Sequence, residues 1–218
     1  MKRKVYKNGQ AELVEKKSRF IAYVFAVRHE EEAQTILAAH RKEYWDARHH
    51  CYAYILDGAN PVMRFSDDGE PSGTAGKPIL EVMQHAEVEN TLVIVTRYFG
   101  GVLLGAGGLV RAYTKATVLG LEAAVLATVA EGRSGLLVCD YEQSGKLQYH
   151  LAEQQIQITD TEYGQEVTYH LLFLPDQEEG LHALVAELTG GSRSIQEEKD
   201  CRFLELSDGS RIVEEGEK

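Results

Sequence analysis

A glycine-rich segment, residues 97–113 with the sequence RYFGGVLLGAGGLVRAY, follows an apolar run and precedes a predicted helix. Between its two arginines, Arg97 and Arg111, lie the glycines Gly100, Gly101, Gly105, Gly107 and Gly108. Glycine loses more backbone entropy on folding than other residues, so this cluster indicates a tight turn or a close approach to the backbone. A turn between a strand and a helix often binds phosphate, because the first N–H groups of the helix are free. The segment lacks the lysine and hydroxyl residue of a Walker A loop, however, and its glycine spacing differs from the dinucleotide fingerprint.

Arg111 is predicted in the first turn of that helix, where the helix dipole disfavours a cation by up to about 1 kcal/mol. This unfavourable position predicts an anionic partner, and two kinds of partner remain open. One is an external phosphate, held by Arg97, Arg111 and the free N–H groups of the helix. The other is internal, a carboxylate from the acidic segment SDDGEPSGTAGKP at residues 66–78.

The acidic segment carries three carboxylates, Asp67, Asp68 and Glu70, and a cation, Lys77. Its spacing differs from that of an EF-hand calcium loop, and PSGTAG lacks the nucleophile-elbow pattern. The composition therefore predicts a turn-rich loop without a metal. We expect this loop to lie beside the glycine-rich segment and to form one surface with it.

A further polar cluster, His49, His50 and Cys51, lies in the run HHCYAYIL. The alternation of side chains on a strand points His50 away from the other two, and two ligands do not make a zinc site. Packed histidines are therefore predicted. The candidate binding residues are Arg97, Arg111, Lys77, Asp67, Asp68, Glu70, His49 and the five glycines named above, and no catalytic residue, metal or cofactor is predicted.

The composition is that of a soluble globular protein, with 44% hydrophobic and 26% charged residues among 218. No apolar run approaches the roughly 20 residues that span a bilayer. Three well-separated cysteines, Cys51, Cys139 and Cys201, favour a reducing, cytoplasmic location. Residues 1–132 carry 16 basic and 16 acidic side chains, whereas residues 133–218 carry 7 and 18. This asymmetry disfavours nucleic-acid binding by the whole surface and leaves a local basic site in the first part open.

Hydrophobic periodicity predicts two α+β domains that meet near residue 132. In the first part, strands are predicted at FIAYVFAV, HHCYAYIL, VMRF and TLVIV, and helices at EEEAQTILAAHRKEY, ILEVMQHAEV and GLVRAYTKATVLGLEAAV. The second part has the order strand, helix, strand, strand, helix, strand, which is the ferredoxin-like arrangement. Asp176 is the predicted N-cap of its second helix, and Cys139 and Cys201 are predicted to be buried. The predicted ranges are 1–132, 133–206 and a frayed tail at 207–218.

Four segments together resemble the IMPACT family, whose bacterial members are called YigZ-like: KKSRFIA, DARHHCYAY, SDDGEPSGTAGKP and RYFGGVLLGAGGLVRAY. The resemblance implies, for the first domain, the βαβ-type fold of the second domain of a small-subunit ribosomal protein and of domain IV of elongation factor G. A class of small-molecule kinases shares that fold. The second domain resembles domain V of the same factor. Eukaryotic members of the family regulate translation, and the family supplies no established catalytic residues.

Two classes of function follow. The first is a non-enzymatic binding protein of the translation apparatus, which contacts RNA, the ribosome or a translation factor through the motif surface of the first domain. The second is an enzyme that acts on a phosphorylated small molecule or nucleotide at the glycine-rich segment. A shallow basic surface would favour binding, and an enclosed pocket with a perturbed acid or base would favour catalysis.

Overall fold

The computed structural model describes residues 2–58 and 60–213. It consists of two compact units, Met1–Thr128 and Val129–Lys218, and each contains helices and a β-sheet. The predicted two-domain α+β organisation is thus confirmed. The boundary at residue 132 stays a prediction. It falls, like the division between the units, within one long strand, Val125–Cys139. Within the described residues, no helix has the length and apolar character needed to cross a bilayer.

The first unit contains most of the elements that the periodicity predicts. Its elements are β1 (Arg3–Lys7), β2 (Gly9–Glu15), β3 (Ser18–Ala26), α1 (Glu30–Glu43), β4 (His49–Leu56), β5 (Val62–Ser66), α2 (Gly76–His85), β6 (Val88–Glu89), β7 (Thr91–Tyr98) and α3 (Ala106–Ala123). The run HHCYAYIL coincides with β4, and VMRF pairs back onto it as β5. The strands β1 and β2 were not predicted, because charged residues interrupt their apolar pattern.

A five-stranded antiparallel sheet, in the order β2-β3-β7-β4-β5, forms the centre of this unit. Successive residues of each strand point to opposite faces, so two separate cores form. One face packs against α2 and α3, through residues such as Phe20, Val95, Ile79 and Tyr113. The other face packs against α1. The central strand β7 is buried on both faces, as the continuous apolar run TLVIV predicts.

Two histidines are buried on the α1 face of the sheet. His40 of α1 and His50 of β4 both hydrogen-bond the Thr96 hydroxyl, at 2.7 and 3.2 Å, and their rings lie 5.5 Å apart. Burial, and secondarily the neighbouring His50, lowers the pKa of His40 to about 4. Burial also lowers the pKa of His50, against the opposing effect of Asp68. Both rings are therefore neutral in the folded protein at neutral pH.

We expect the stability of the first unit to fall as the pH is lowered from about 6.5 towards 4. The unfolded chain protonates these histidines near pH 6.5, whereas the folded chain resists protonation, so each contributes a slope of up to about 1.4 kcal/mol per pH unit. The substitution His40→Gln keeps a polar partner for Thr96 and should flatten the slope. Urea unfolding between pH 7 and 5 measures it, and an unchanged slope in the variant would contradict the assignment.

The second unit has the predicted ferredoxin-like order. The strand β8 (Val125–Cys139) begins in the first unit, where its first residues pair with β1, and its residues 133–139 pair with a strand of the second unit. The other elements are α4 (Tyr141–Glu153), β9 (Gln157–Tyr163), β10 (Val167–Phe173), α5 (Glu178–Thr189), β11 (Ile195–Glu205) and β12 (Arg211–Val213). Four of these strands lie in the order β11-β8-β10-β9. Of the tail predicted to be frayed, Arg211–Val213 pairs with β11, and residues 214–218 lie outside the described residues.

Two local predictions for the second unit were wrong. Asp176 lies in a short 3₁₀ turn, Pro175–Gln177, which precedes α5, so it is not the N-cap of that helix. Cys201 is partly exposed, whereas Cys139 is buried as predicted. The C-terminal end of α5 follows the sequence signal, because Gly190 adopts the left-handed conformation there with φ 61°.

Candidate functional site

The glycine-rich segment is shaped by the chain's own β2–β3 hairpin. A Cβ atom on Gly100 would collide with the Lys17 carbonyl group and the Ser18 nitrogen, and the Gly100 N–H donates to the Ser18 hydroxyl at 3.2 Å. Gly101 and Gly105 have φ of 81° and 70°, which favours glycine. Close approach by the hairpin and two left-handed turns therefore account for these three glycines without a bound phosphate.

The helix α3 begins earlier than predicted. Gly105 is its N-cap and Ala106 its first residue, so Gly107 and Gly108 lie in the first turn. Arg111 therefore lies in the second turn, and its predicted position in the first turn was wrong. Because the effect of the helix dipole falls off within the first turn, Arg111 is opposed less strongly than the sequence suggested.

Arg97 is buried, and its partner is internal. Its side chain donates from Nη1 to Glu70 Oε1 at 2.5 Å, and Tyr113 Oη donates to the same oxygen at 2.9 Å. Arg97 is 5% exposed and Glu70 8%. The guanidinium also lies over the Phe20 and Phe99 rings, at 5.3 and 5.5 Å from their centroids. A carboxylate of the acidic segment therefore does pair with an arginine, but the arginine is Arg97 and not Arg111. Because Arg97 is buried, it is not accessible to a phosphate.

Asp67 stabilises the conformation of the acidic segment by hydrogen bonds to its backbone. Its carboxylate accepts backbone N–H groups from Gly73, Ala75 and Gly76 at 2.8–3.0 Å. Its carbonyl oxygen accepts from Cys51 Sγ at 2.9 Å. Burial raises the pKa of the Cys51 thiol far above its usual value, so this cysteine is a neutral hydrogen-bond donor. Asp67 therefore holds the loop in shape and ties it to β4.

Asp68 and His49 add partly exposed contacts to the same loop. Asp68 accepts from Arg41 Nη2 at 2.8 Å and from the His50 N–H at 2.6 Å. His49 Nδ1 hydrogen-bonds the Asp68 carbonyl oxygen at 2.8 Å, and its Nε2 lies 4.0 Å from Glu70. The acidic and glycine-rich segments therefore lie beside each other, and the contacts of Glu70 with Arg97 and Tyr113 are buried. Lys77 is separate from this contact and forms an exposed pair with Glu81 at 3.8 Å.

A basic cleft of about 190 Å³ lies beside the start of α3. It is lined by Leu13, Glu15, Lys16, Leu104, Gly108, Arg111, Ala112 and Lys115. Arg111 and Lys115 are one helical turn apart and so share a face, and Lys16 comes from the hairpin. All three are exposed, and in the part of the chain that the structure describes none of them has an ion-pair partner. Of the predicted site residues, the cleft includes only Arg111 and Gly108.

The hairpin presents Lys16 and Lys17 in a strained turn. These two residues connect β2 to β3, and both have positive φ, 46° and 66°. Such two-residue type I′ turns favour Asn-Gly, because the left-handed conformation costs other residues about 1–2 kcal/mol each. Strain of this kind persists mainly at functional sites. The strained turn therefore exposes two lysines at this end of the unit.

We expect the double substitution Lys16→Asn and Lys17→Gly to stabilise the first unit by about 1–2 kcal/mol, because it relieves the strain in the turn. The same change removes two cations and should weaken anion binding. Urea unfolding measures the first effect. As a control, Lys7→Asn alters an exposed lysine of β1 and should not stabilise the protein. A double variant that is less stable than the parent would show that the turn is not strained.

Two other features of the molecule have the size or composition of a site. A cavity of about 530 Å³ between α2 and α3 is lined mainly by apolar side chains such as Val82, Val118 and Leu121, and it includes none of the predicted site residues. In the second unit, Glu178, His182 and Glu198 lie close enough to share a metal ion. Arg133, however, forms ion pairs with both of these glutamates, so a guanidinium already neutralises them.

Comparison with known proteins identifies both parts of the chain. Residues 16–121 match the model of the Impact N-terminal domain, and residues 137–192 match the domain of unknown function DUF1949. The chain is 37% identical over 189 residues to IMPACT family member YvyE of Bacillus subtilis, covering 87% of each protein. It is 33% identical over 186 residues to IMPACT family member YigZ of Escherichia coli, covering 83% of this chain and 89% of that one. The chain therefore belongs to the IMPACT family, as the four motifs predicted.

A solved structure, titled as the crystal structure of a hypothetical protein, has the same architecture. It aligns with a TM-score of 0.56 and 31% identity, over 90% of this chain and 97% of that one. The mouse protein IMPACT is similar over a shorter range, 34% identical over 98 residues, which is 43% of this chain and 30% of that protein. The bacterial relatives thus share both parts of the chain.

Proposed function

We propose that this protein is a non-enzymatic binding protein of the translation apparatus, and that it contacts RNA through the basic cleft. The observation that carries the proposal is the convergence of Lys16, Arg111 and Lys115, which are exposed and have no ion pair within the described ranges. Cations in this state attract phosphates, because each phosphate contact releases counterions. Residues 1–132 have no net charge, and Glu15 is the one acidic residue among those that line the cleft.

The choice of the translation apparatus rests on the family. The first domain resembles folds found in a ribosomal protein and in elongation factor G, and eukaryotic members of the family regulate translation. A ribosome or a translation factor is therefore the proposed partner, and the cytoplasm is the proposed location. The free cysteines Cys51, Cys139 and Cys201 are compatible with that compartment.

The small volume of the cleft favours binding over catalysis. At about 190 Å³ the cleft is smaller than the roughly 300–1,000 Å³ typical of small-molecule sites. Glu70, which contacts Arg97 and Tyr113 of the glycine-rich segment, is buried, so Glu15 is the one carboxylate that lines the cleft. Catalysis in the cleft would therefore depend on Glu15 as the general acid or base.

Co-sedimentation with ribosomes tests the proposal. The triple variant Lys16→Gln, Arg111→Gln, Lys115→Gln should bind about 10- to 100-fold more weakly, because three phosphate contacts are lost. The matched control Lys7→Gln, Lys146→Gln, Lys199→Gln makes the same change of charge at exposed sites elsewhere and should pellet like the parent. Equal pelleting of the cleft variant and the parent would contradict the proposal. If no form pellets and a phosphorylated metabolite raises the melting temperature, the enzyme alternative replaces it.

A further inference from the structure

Trp45 is the single tryptophan of the chain, and its side chain is 81% exposed. It lies just after α1, between the C-cap residue Tyr44 and the start of β4. No aromatic ring of the described residues packs against it, whereas the neighbouring Tyr44 ring contacts Tyr23 and His40. A tryptophan this exposed leaves its large apolar ring available to a partner.

A short series of contacts joins Trp45 to the hairpin beside the basic cleft. Tyr98 Oη donates to the carboxylate of Asp46, the next residue in the chain, at 3.1 Å. The Arg19 guanidinium lies over the Tyr98 ring, 5.4 Å from its centroid, and the two residues are paired across β3 and β7. Arg19 is the second residue after the hairpin turn. Trp45 therefore lies at the same end of the sheet as Lys16 and Lys17.

This end of the sheet combines exposed rings with exposed cations. Phe99 follows Tyr98 and is 42% exposed. Lys42 and Arg48 lie three residues before and after Trp45 and are exposed and without an ion pair in residues 2–58 and 60–213, whereas the nearer Glu43 and Asp46 are exposed carboxylates. We call the whole surface the aromatic-basic end and define it as Lys16, Lys17, Lys42, Trp45, Arg48, Phe99, Arg111 and Lys115.

We propose that the aromatic-basic end binds single-stranded RNA, with unpaired bases stacked on Trp45 and Phe99 and the phosphates held by the surrounding cations. The inference rests on the proposed function and specifies the kind of RNA that it takes. Proteins that bind single strands combine a basic groove with aromatic side chains, because every base has a face that can stack. In a duplex the bases are already stacked on each other, so they cannot reach the two rings.

A protein partner fits this surface less well. Lysine is depleted at protein–protein interfaces relative to the rest of the surface. Here four of the eight residues that define the surface are exposed lysines: Lys16, Lys17, Lys42 and Lys115. Burying so many unpaired ammonium groups against a protein would require a matching set of carboxylates, whereas an RNA strand supplies one negative charge with every nucleotide.

Fluorescence of Trp45 tests the inference in the full-length protein. A 12-nucleotide oligouridylate and a 12-nucleotide oligoadenylate should quench the emission, because a stacked base contacts the indole directly. An RNA duplex of the same length should bind through its phosphates and leave the emission nearly unchanged. In a separate titration with labelled oligoadenylate, Trp45→Ala should weaken binding by about 5- to 150-fold, the range measured for loss of one base–aromatic stack. Trp45→Phe should restore most of the affinity.

The matched control is Tyr163→Ala, which removes an aromatic side chain that is 74% exposed on β9 of the second unit. It should bind like the parent. If the duplex binds as tightly as the single strands and Trp45→Ala has no effect, the stacking inference is wrong while the proposed function survives. If neither RNA binds even at low salt, the proposed function itself fails. If a protein partner protects Trp45 and RNA does not, the single-strand inference and the proposed RNA contact are both wrong, whereas a translation factor remains the proposed partner.

Discussion

Replacing Arg97 with methionine is expected to destabilise the first unit by about 3–5 kcal/mol. The substitution leaves the Glu70 carboxylate buried without its cation, and breaking one side of a buried ion pair is costly in this range. The loss of the guanidinium from between Phe20 and Phe99 adds to the effect. Urea unfolding followed by far-ultraviolet circular dichroism measures the effect.

Two comparisons separate this effect from a general effect of losing an arginine. Arg19→Met removes an exposed arginine paired with an exposed Glu12, and it should cost less than about 1 kcal/mol. The double variant Arg97→Met, Glu70→Gln removes the unpaired charge and should recover part of the lost stability. A single Arg97→Met variant as stable as the parent would show that the ion pair is not part of the core. The expected instability also makes Arg97 unsuitable as a probe of RNA binding.

The second large effect concerns the salt dependence of RNA binding. The substitutions Arg111→Gln and Lys115→Gln should reduce the slope of log K against log salt by about 1.4, since each phosphate contact with a single strand contributes about 0.7. Affinity should fall most at low salt. Anisotropy of a labelled oligoribonucleotide between about 50 and 200 mM salt gives the slope.

The pair Lys146→Gln and Lys199→Gln serves as the matched control, because both lysines are exposed in the acidic second unit. Their loss should leave the slope unchanged. If the control flattens the slope as much as the cleft variant does, RNA contacts are spread over the surface. If neither variant alters it, the phosphates bind elsewhere.

Much of the fold was predictable because its strands are regular. The alternation of HHCYAYIL and the continuous apolar run TLVIV predicted β4 and β7, and both strands lie in the centre of the sheet. By contrast, β2 lies at the edge of the same sheet and buries little besides Leu13. An edge strand needs few apolar residues, so its periodicity was too weak to detect.

The candidate site was predictable in its segments but not in the role of each residue. Arg97 and Arg111 stand on either side of the glycines in the sequence, which does not show which of them pairs with a carboxylate. The alternation of side chains along β7 indicates that this arginine is Arg97, because it shares its face with Val93 and Val95, which are fully buried against the helices. Arg111 remained exposed because it lies on the outer side of α3.

Lys16 was missed because its importance depends on the backbone. Lysine is not a favoured residue for a two-residue turn with positive φ, so nothing in the sequence pointed to a strained hairpin tip. Lys16 lies near Arg111 and Lys115 because α3 packs along β2 and because Gly100, which has no side chain, leaves room for the hairpin turn. These are long-range contacts, and local periodicity carries no information about them.

The most direct test of the central claim is ultraviolet cross-linking of the full-length protein to RNA in cells, followed by mass spectrometry of the cross-linked peptides. Our account predicts nucleotides attached within three short segments: Lys16–Lys17, Trp45 and its neighbours, and Phe99 through Lys115. It also predicts that the triple cleft variant loses these adducts while its abundance in the cell is unchanged. Cross-links confined to the second unit, or an undiminished yield from the triple variant, would contradict the account.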